Sequence, residues 1–135
     1  MLTVAKGDAI RKFRELIAPY YITRVLKILE KDDTKPPEAA REALARGIQW
    51  AKEGRLDRAC EFWQNAYNLH PQGYAVHYNL GLCAEIAGKL PEALAYYEKA
   101  DRLTGKPVEE ISAALGRVKV SMAKQQQLEE QIKRK

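Results

Sequence analysis

The chain carries AREALARGIQWAKEGRLDRACEFWQNAYNLHP at residues 40–71 and YAVHYNLGLCAEIAGKLPEALAYYEKADRLTG at residues 74–105, and the second stretch repeats the pattern of the first at a fixed interval. The matching positions are Gly47, Gly54, Ala59, Trp63 and Ala66 in the first copy and Gly81, Gly88, Ala93, Tyr97 and Ala100 in the second. A self-match at an interval of about 34 residues is typical of an array of helix–turn–helix units. The spacing therefore predicts an all-α solenoid of helical hairpins, an architecture that works by presenting a surface.

Each copy predicts one hairpin, the first over residues 40–73 and the second over residues 74–107. Gly54 and Gly88 supply the turn residues between the two helices of each hairpin. We expect the small residues of the repeat to let helices approach closely, and its aromatic residue to fill the space left between hairpins.

Both stretches resemble consecutive tetratricopeptide repeats (TPRs), and the resemblance covers about half of the chain. His77, Ala84 and Gly105 depart from the family pattern at packing positions and at the end of the second repeat. In this family the first helix of each repeat lines a concave groove. The resemblance implies a partner-binding groove lined by Leu44, Ile48, Lys52, Tyr78, Asn79, Leu82 and Glu85. Asn79 corresponds to an asparagine that often hydrogen-bonds the backbone of an extended peptide in relatives.

The predicted function is a non-catalytic protein–protein interaction module or scaffold. Leu44 and Ile48 stand where family members that grip chaperone tails need lysine and asparagine. An apolar lining instead suits a hydrophobic peptide or an amphipathic helix of a partner protein. It equally suits the N-terminal segment of the chain itself, folded back into the groove, and both interpretations are open.

The segments on either side of the two repeats (38–106) must cover their apolar ends. After Pro107, apolar residues at helical spacing predict a capping helix over 107–123, followed by a basic tail to residue 135. The face of this helix consists of Val108, Ile111, Leu115, Val118 and Met122.

The N-terminal segment, 1–37, has two interpretations. It is either a degenerate third helical hairpin or a helix followed by a β-strand at 20–30, and in either case residues 32–37 are expected to form a linker or turn. The second order resembles the end of the domain that precedes a TPR tail in curli-assembly-like bacterial lipoproteins.

The net charge is +5, and six of the basic residues lie in 116–135 against two acidic ones. The tail therefore provides an alternative function, electrostatic attachment to nucleic acid or anionic membrane. Since the repeats themselves carry no basic stripe, we do not expect nucleic acid or membrane to be the main partner. The expected partner is a protein or peptide, and the repeat array also permits a homo-oligomer.

No nucleotide-binding loop, metal motif or nucleophile elbow is present, so we predict no enzyme activity, no cofactor and no metal site. His70 and His77 are expected to be structural. Cys60 and Cys83 have no C-x-x-C spacing, and we expect buried free thiols. The sequence as given predicts a cytoplasmic protein, or a periplasmic or envelope protein if it is a fragment of a secreted lipoprotein.

Overall fold

The computed structural model describes residues 27–134, and this part of the chain contains five helices and no strand. In chain order the helices are α1 (Glu38–Lys52), α2 (Leu56–Leu69), α3 (Tyr74–Ile86), α4 (Leu90–Leu103) and α5 (Glu109–Lys133). α1 packs on α2 and α3 packs on α4, while α2 joins the two pairs by contacting α3. α5 packs on α4 and covers the end of the second hairpin. The predicted all-α solenoid of helical hairpins is therefore confirmed.

The two interpretations of the N-terminal segment fall mainly on residues 1–26, which lie outside the described residues. Residues 27–37 form neither helix nor strand, although both interpretations place Leu29 in a regular element. The reason is that the backbone of Leu29 is hydrogen-bonded to a side chain of α3, at Asn79, instead of to a neighbouring helical turn or strand.

Both hairpins turn in the same way. The N–H groups of Gly54 and Arg55 donate to the carbonyls of Ala51 and Trp50, at 3.0 and 2.9 Å, and an equivalent pair of bonds recurs in the second hairpin around Gly88. The two turn glycines have φ angles of 79° and 80°. Because this left-handed conformation costs glycine almost nothing, the predicted turn residues end α1 and α3 sharply.

The small and aromatic positions of the repeat meet inside each hairpin. A Cβ atom at Gly47 would lie 2.3 Å from Trp63 Nε1, and one at Gly81 would lie 2.4 Å from Tyr97 Cε1. Both rings are fully buried. The sequence pattern predicts the rings between hairpins, but each one lies in the notch of its own hairpin, because the glycine faces the helix with which it is paired.

The last helix caps the array with its first half. Ile111, Ala114 and Val118 of α5 are completely buried, whereas Leu128 and Ile132 are 57% and 65% exposed. The predicted cap at 107–123 is thus the packed part of a longer helix of 25 residues. Within the described residues, neither α5 nor any other helix combines the length and the apolar character needed to cross a membrane.

A disulfide joins the two hairpins. Cys60 of α2 is bonded to Cys83 of α3, with 6.2 Å between the Cα atoms. The expectation of free thiols is therefore wrong. It relied on the absence of a short cysteine motif, but the packing of α2 against α3 brings together two cysteines that are 23 residues apart.

Candidate functional site

The groove predicted from the sequence lies on α1 and α3, the first helices of the two hairpins. Its aliphatic, tyrosine and asparagine side chains are buried, and its two charged residues stand near the C-terminal ends of the helices. The buried residues are Leu44, Ile48, Tyr78, Asn79 and Leu82, while Lys52 is exposed and Glu85 is partly buried.

Residues 27–34, which we call the strap, lie against these two helices. Leu29 of the strap is only 8% exposed and belongs to the same apolar core as Leu44, Ile48 and Leu82. In this structure the groove is therefore occupied by the chain's own N-terminal segment, one of the two interpretations that the sequence leaves open.

Asn79 binds the backbone of the strap in both directions. Its Oδ1 accepts the N–H of Leu29 at 3.0 Å, and its Nδ2 donates to the carbonyl of Leu29 at 2.9 Å. The amide is completely buried, so the two bonds satisfy groups that would otherwise be costly to remove from water. An asparagine at this point can bind any residue whose backbone N–H and C=O are both free. Such residues occur in extended segments.

Two further contacts hold the first half of the strap. Tyr78 Oη donates to the carbonyl of Lys27 at 2.8 Å, and burial raises the pKa of Tyr78 to about 12, so the phenol keeps its proton at neutral pH. Lys52 Nζ lies 3.2 Å from Glu30 Oε1, with both side chains about half exposed. Since exposed ion pairs contribute little stability, this pair adds little to the binding of the strap.

The second half of the strap caps α3. Asp32 Oδ2 accepts the N–H of Ala75 at 3.1 Å, while its Oδ1 accepts the N–H of Thr34 at 2.9 Å. The N-cap residue of α3 is Gly73, which has no side chain to perform this role. The carboxylate of Asp32, 43 residues before Ala75 in the chain, supplies the missing N-cap. It also interacts favourably with the positive end of the helix dipole. A hydrogen bond of 3.0 Å joins the Thr34 hydroxyl to His70 Nε2.

Glu85 makes its contacts away from the strap. Its carboxylate accepts bonds from Tyr97 Oη at 2.7 Å and from Arg117 Nε and Nη2 at 2.7 and 2.9 Å. The hydrogen bond to Glu85 raises the pKa of Arg117, and burial raises that of Tyr97. In this structure Glu85 thus joins α3 to α4 and α5, and its predicted role in the groove stays a prediction.

His77 is buried between the aromatic rings of Tyr67 on α2 and Tyr96 on α4. Its Nδ1 lies 2.8 Å from the carbonyl of Gly73 and must be the donor, because a carbonyl only accepts. The ring meets Tyr67 edge-on at 5.1 Å. Burial lowers the pKa of His77, so the neutral form is favoured.

Sequence reasoning missed the role of Asp32 and Thr34, which it assigned to a linker or turn. A usable signal was present at Gly73, which begins α3 without a capping side chain. Among residues 27–134, no three His, Cys, Asp or Glu side chains are grouped to hold a metal ion.

The family model described as Domain of unknown function (DUF6340) matches residues 45–132. This range covers about two thirds of the chain, from within α1 to the end of α5, and leaves the strap outside. No curated protein and no solved structure gives a significant match.

Proposed function

Because the chain belongs to the family described as Domain of unknown function (DUF6340), whose description gives no activity, we propose its function from the groove. The chain is a non-catalytic protein–protein interaction module of two tetratricopeptide repeats, and it binds an extended segment of a partner protein along α1 and α3.

The pair of hydrogen bonds between Asn79 and Leu29 carries this proposal. A helix uses its own N–H and C=O groups internally and leaves neither free for a side-chain amide in its interior. Of the two partners that the apolar lining suits, a peptide and an amphipathic helix, the buried Asn79 therefore favours the extended peptide.

The geometry of the hairpins supports the assignment to tetratricopeptide repeats. The contacts of Gly47 with Trp63 and of Gly81 with Tyr97 stand at equivalent positions in the two copies. The turn at Gly54 also recurs at the equivalent position of the second copy with the same hydrogen bonds. A stack of this kind presents the first helix of every hairpin on one surface, which is where the candidate groove lies.

A selection from a random library of linear peptides, made on the full chain, tests the proposal. We expect the selected peptides to bind a chain whose own strap is weakened by Asp32→Ala, and to lose roughly tenfold or more in affinity when Asn79→Ala removes both backbone contacts from that chain. Fluorescence anisotropy with labelled peptides measures the affinities. Asn79→Asp, which places a buried carboxylate oxygen against the carbonyl of Leu29, should lose at least as much affinity as Asn79→Ala.

Asn68→Ala is the matched control, because Asn68 is an exposed asparagine of α2 that bonds only to the side chain of Gln64 among the described contacts. Circular dichroism establishes that each variant keeps its helices. Equal affinity for Asp32→Ala with and without Asn79→Ala, or a selection that yields no binding peptide, would contradict the proposed function.

A second observation bears on where the module works. The Cys60–Cys83 disulfide favours an oxidising compartment, since disulfides are rare in reducing cytosol. This supports the alternative in which the repeats form part of a bacterial envelope or lipoprotein assembly factor. The cytoplasmic prediction loses support for the same reason. Attachment through the basic tail stays a prediction, with the distal half of α5 exposed.

A further inference from the structure

The strap is held in its groove by contacts with side chains and one helix end. It contains no helix or strand, so no backbone ladder fixes it. The backbone groups of Lys27 and Leu29 are bonded to α3, and the acidic side chains of Glu30 and Asp32 contact α1 and the start of α3. No backbone–backbone hydrogen bond joins residues 27–34 to the hairpins, so a segment held in this way can leave without breaking the helical ladders beneath it.

The groove is complementary to negative charge at two defined points. Lys52 stands opposite Glu30, and the N-terminus of α3 stands opposite Asp32. Between Glu30 and the residues before it, Leu29 is buried as part of the apolar core. As a ligand, the strap thus places an aliphatic residue, Leu29, opposite Asn79. Acidic residues follow one position later, at Glu30, and three positions later, at Asp32.

The covalent connection of the strap is strained at both ends. Lys27 and Lys35 have φ angles of 44° and 57°, the only positive values at non-glycine residues in the described part of the chain. A side chain with a Cβ atom rarely adopts this conformation, and the proline after Lys35 restricts it further. A segment from another protein can make the same contacts without these two constraints.

We propose that the groove takes an extended acidic segment of another protein, with the aliphatic–acidic–any–acidic pattern of residues 29–32, and that the strap is a built-in competitor for it. The inference rests on the proposed function and adds the chemistry of the partner and the regulation of the site. A short tether keeps the strap at a millimolar effective concentration. The partner can bind only while the strap is out of the groove. Its apparent affinity is therefore lower, the more stably the strap is bound.

Two substitutions in the full chain change the stability of the bound strap in opposite directions. Asp32→Ala removes the cap on α3 and weakens the strap, whereas Lys35→Gly relieves the left-handed backbone and strengthens it. A labelled peptide with the sequence KILEKDDT, that of residues 27–34, is added as the probe. We expect Asp32→Ala to bind it about tenfold more tightly than wild type, and Lys35→Gly to bind it more weakly.

Asp101→Ala is the matched control for the lost negative charge, because Asp101 is exposed on α4, away from the strap. A second probe, in which lysines replace the acidic residues, should lose about tenfold or more in affinity for Asp32→Ala at low salt. The inference is overturned if the three chains bind KILEKDDT equally, or if the lysine probe binds as well as the acidic one.

Library peptides that need Asn79 but have no acidic pattern would leave the proposed function standing and overturn this inference alone. If Asp32→Ala keeps its helices yet binds no peptide, both fail. Sedimentation at several protein concentrations tests the remaining possible occupant of the groove, the strap of a second copy of the chain. A dimer that increases in Asp32→Ala would assign the groove to the strap of a second copy and overturn the claim of a foreign partner.

Discussion

Gly81 lies directly beneath the ring of Tyr97, and this contact illustrates how much single positions reveal. Tyr97 is fully buried and its hydroxyl is fixed by Glu85, so the ring has no space into which to move. The recurrence of a glycine and an aromatic residue at the same positions of both copies was sufficient to predict close packing at this point. Which surface of the ring meets the glycine depended on the three-dimensional pairing of the helices.

We predict that Gly81→Ala lowers the free energy of unfolding by about 1–3 kcal/mol, because the new Cβ would overlap the Tyr97 ring. The matched control is Gly116→Ala on α5, where a Cβ atom meets nothing within 4 Å. This change should stabilise the chain by about 0.5–1 kcal/mol, since alanine is the better helix former. Urea unfolding followed by circular dichroism measures both, and effects of the same sign would contradict the predicted overlap.

His77 provides a prediction for pH. Burial lowers its pKa from the ordinary value of 6.5, and Lys99 lowers it further, against opposing effects of Gly73 and Asp32. As the pH falls below about 6.5, the unfolded chain binds a proton that the folded chain does not, and stability decreases. His77→Phe keeps an aromatic contact with Tyr67 and removes the titration.

The measurement is the difference in thermal midpoint between about pH 7 and pH 5, a window above the titration of most carboxylates. We expect a smaller difference in His77→Phe than in wild type. An equal acid sensitivity of the two chains would mean that groups other than His77 produce it.

At the scale of elements, the helices were predictable and the strap was not. Periodic apolar residues and turn glycines identify α1 to α4 because each signal is contained within a few residues of sequence. The strap depends on contacts such as that between Leu29 and Asn79, which are 50 residues apart in the chain. No local pattern encodes such a pair, so the sequence could only leave open what fills the groove.

The end of α5 shows a different limit. The apolar face predicts the part of the helix that packs, and its last partly buried member is Met122. The helix nevertheless continues to Lys133, because glutamine, lysine and glutamate favour helix without a tertiary partner. The pattern of burial, and not the helix boundary, was therefore the predictable quantity.

At the scale of the whole molecule, the disulfide couples two hairpins whose main direct contact is that of α2 with α3. Cys60 lies nine residues before the end of α2 at Leu69, and Cys83 lies nine residues after the start of α3 at Tyr74. In two antiparallel helices joined by a short loop, such positions lie at the same level. This symmetry was readable once the helices were predicted, but cysteine spacing alone concealed it.

We predict that reduction of this bond lowers the free energy of unfolding by roughly 3 kcal/mol, because the disulfide restricts a loop of the unfolded chain. Thermal unfolding with and without reductant measures the change, and the double variant Cys60→Ala with Cys83→Ala should show no response to reductant. If wild type unfolds at the same temperature in both conditions, or has two titratable thiols after purification without reductant, then α2 and α3 hold the hairpins together unaided and the argument for an oxidising compartment fails.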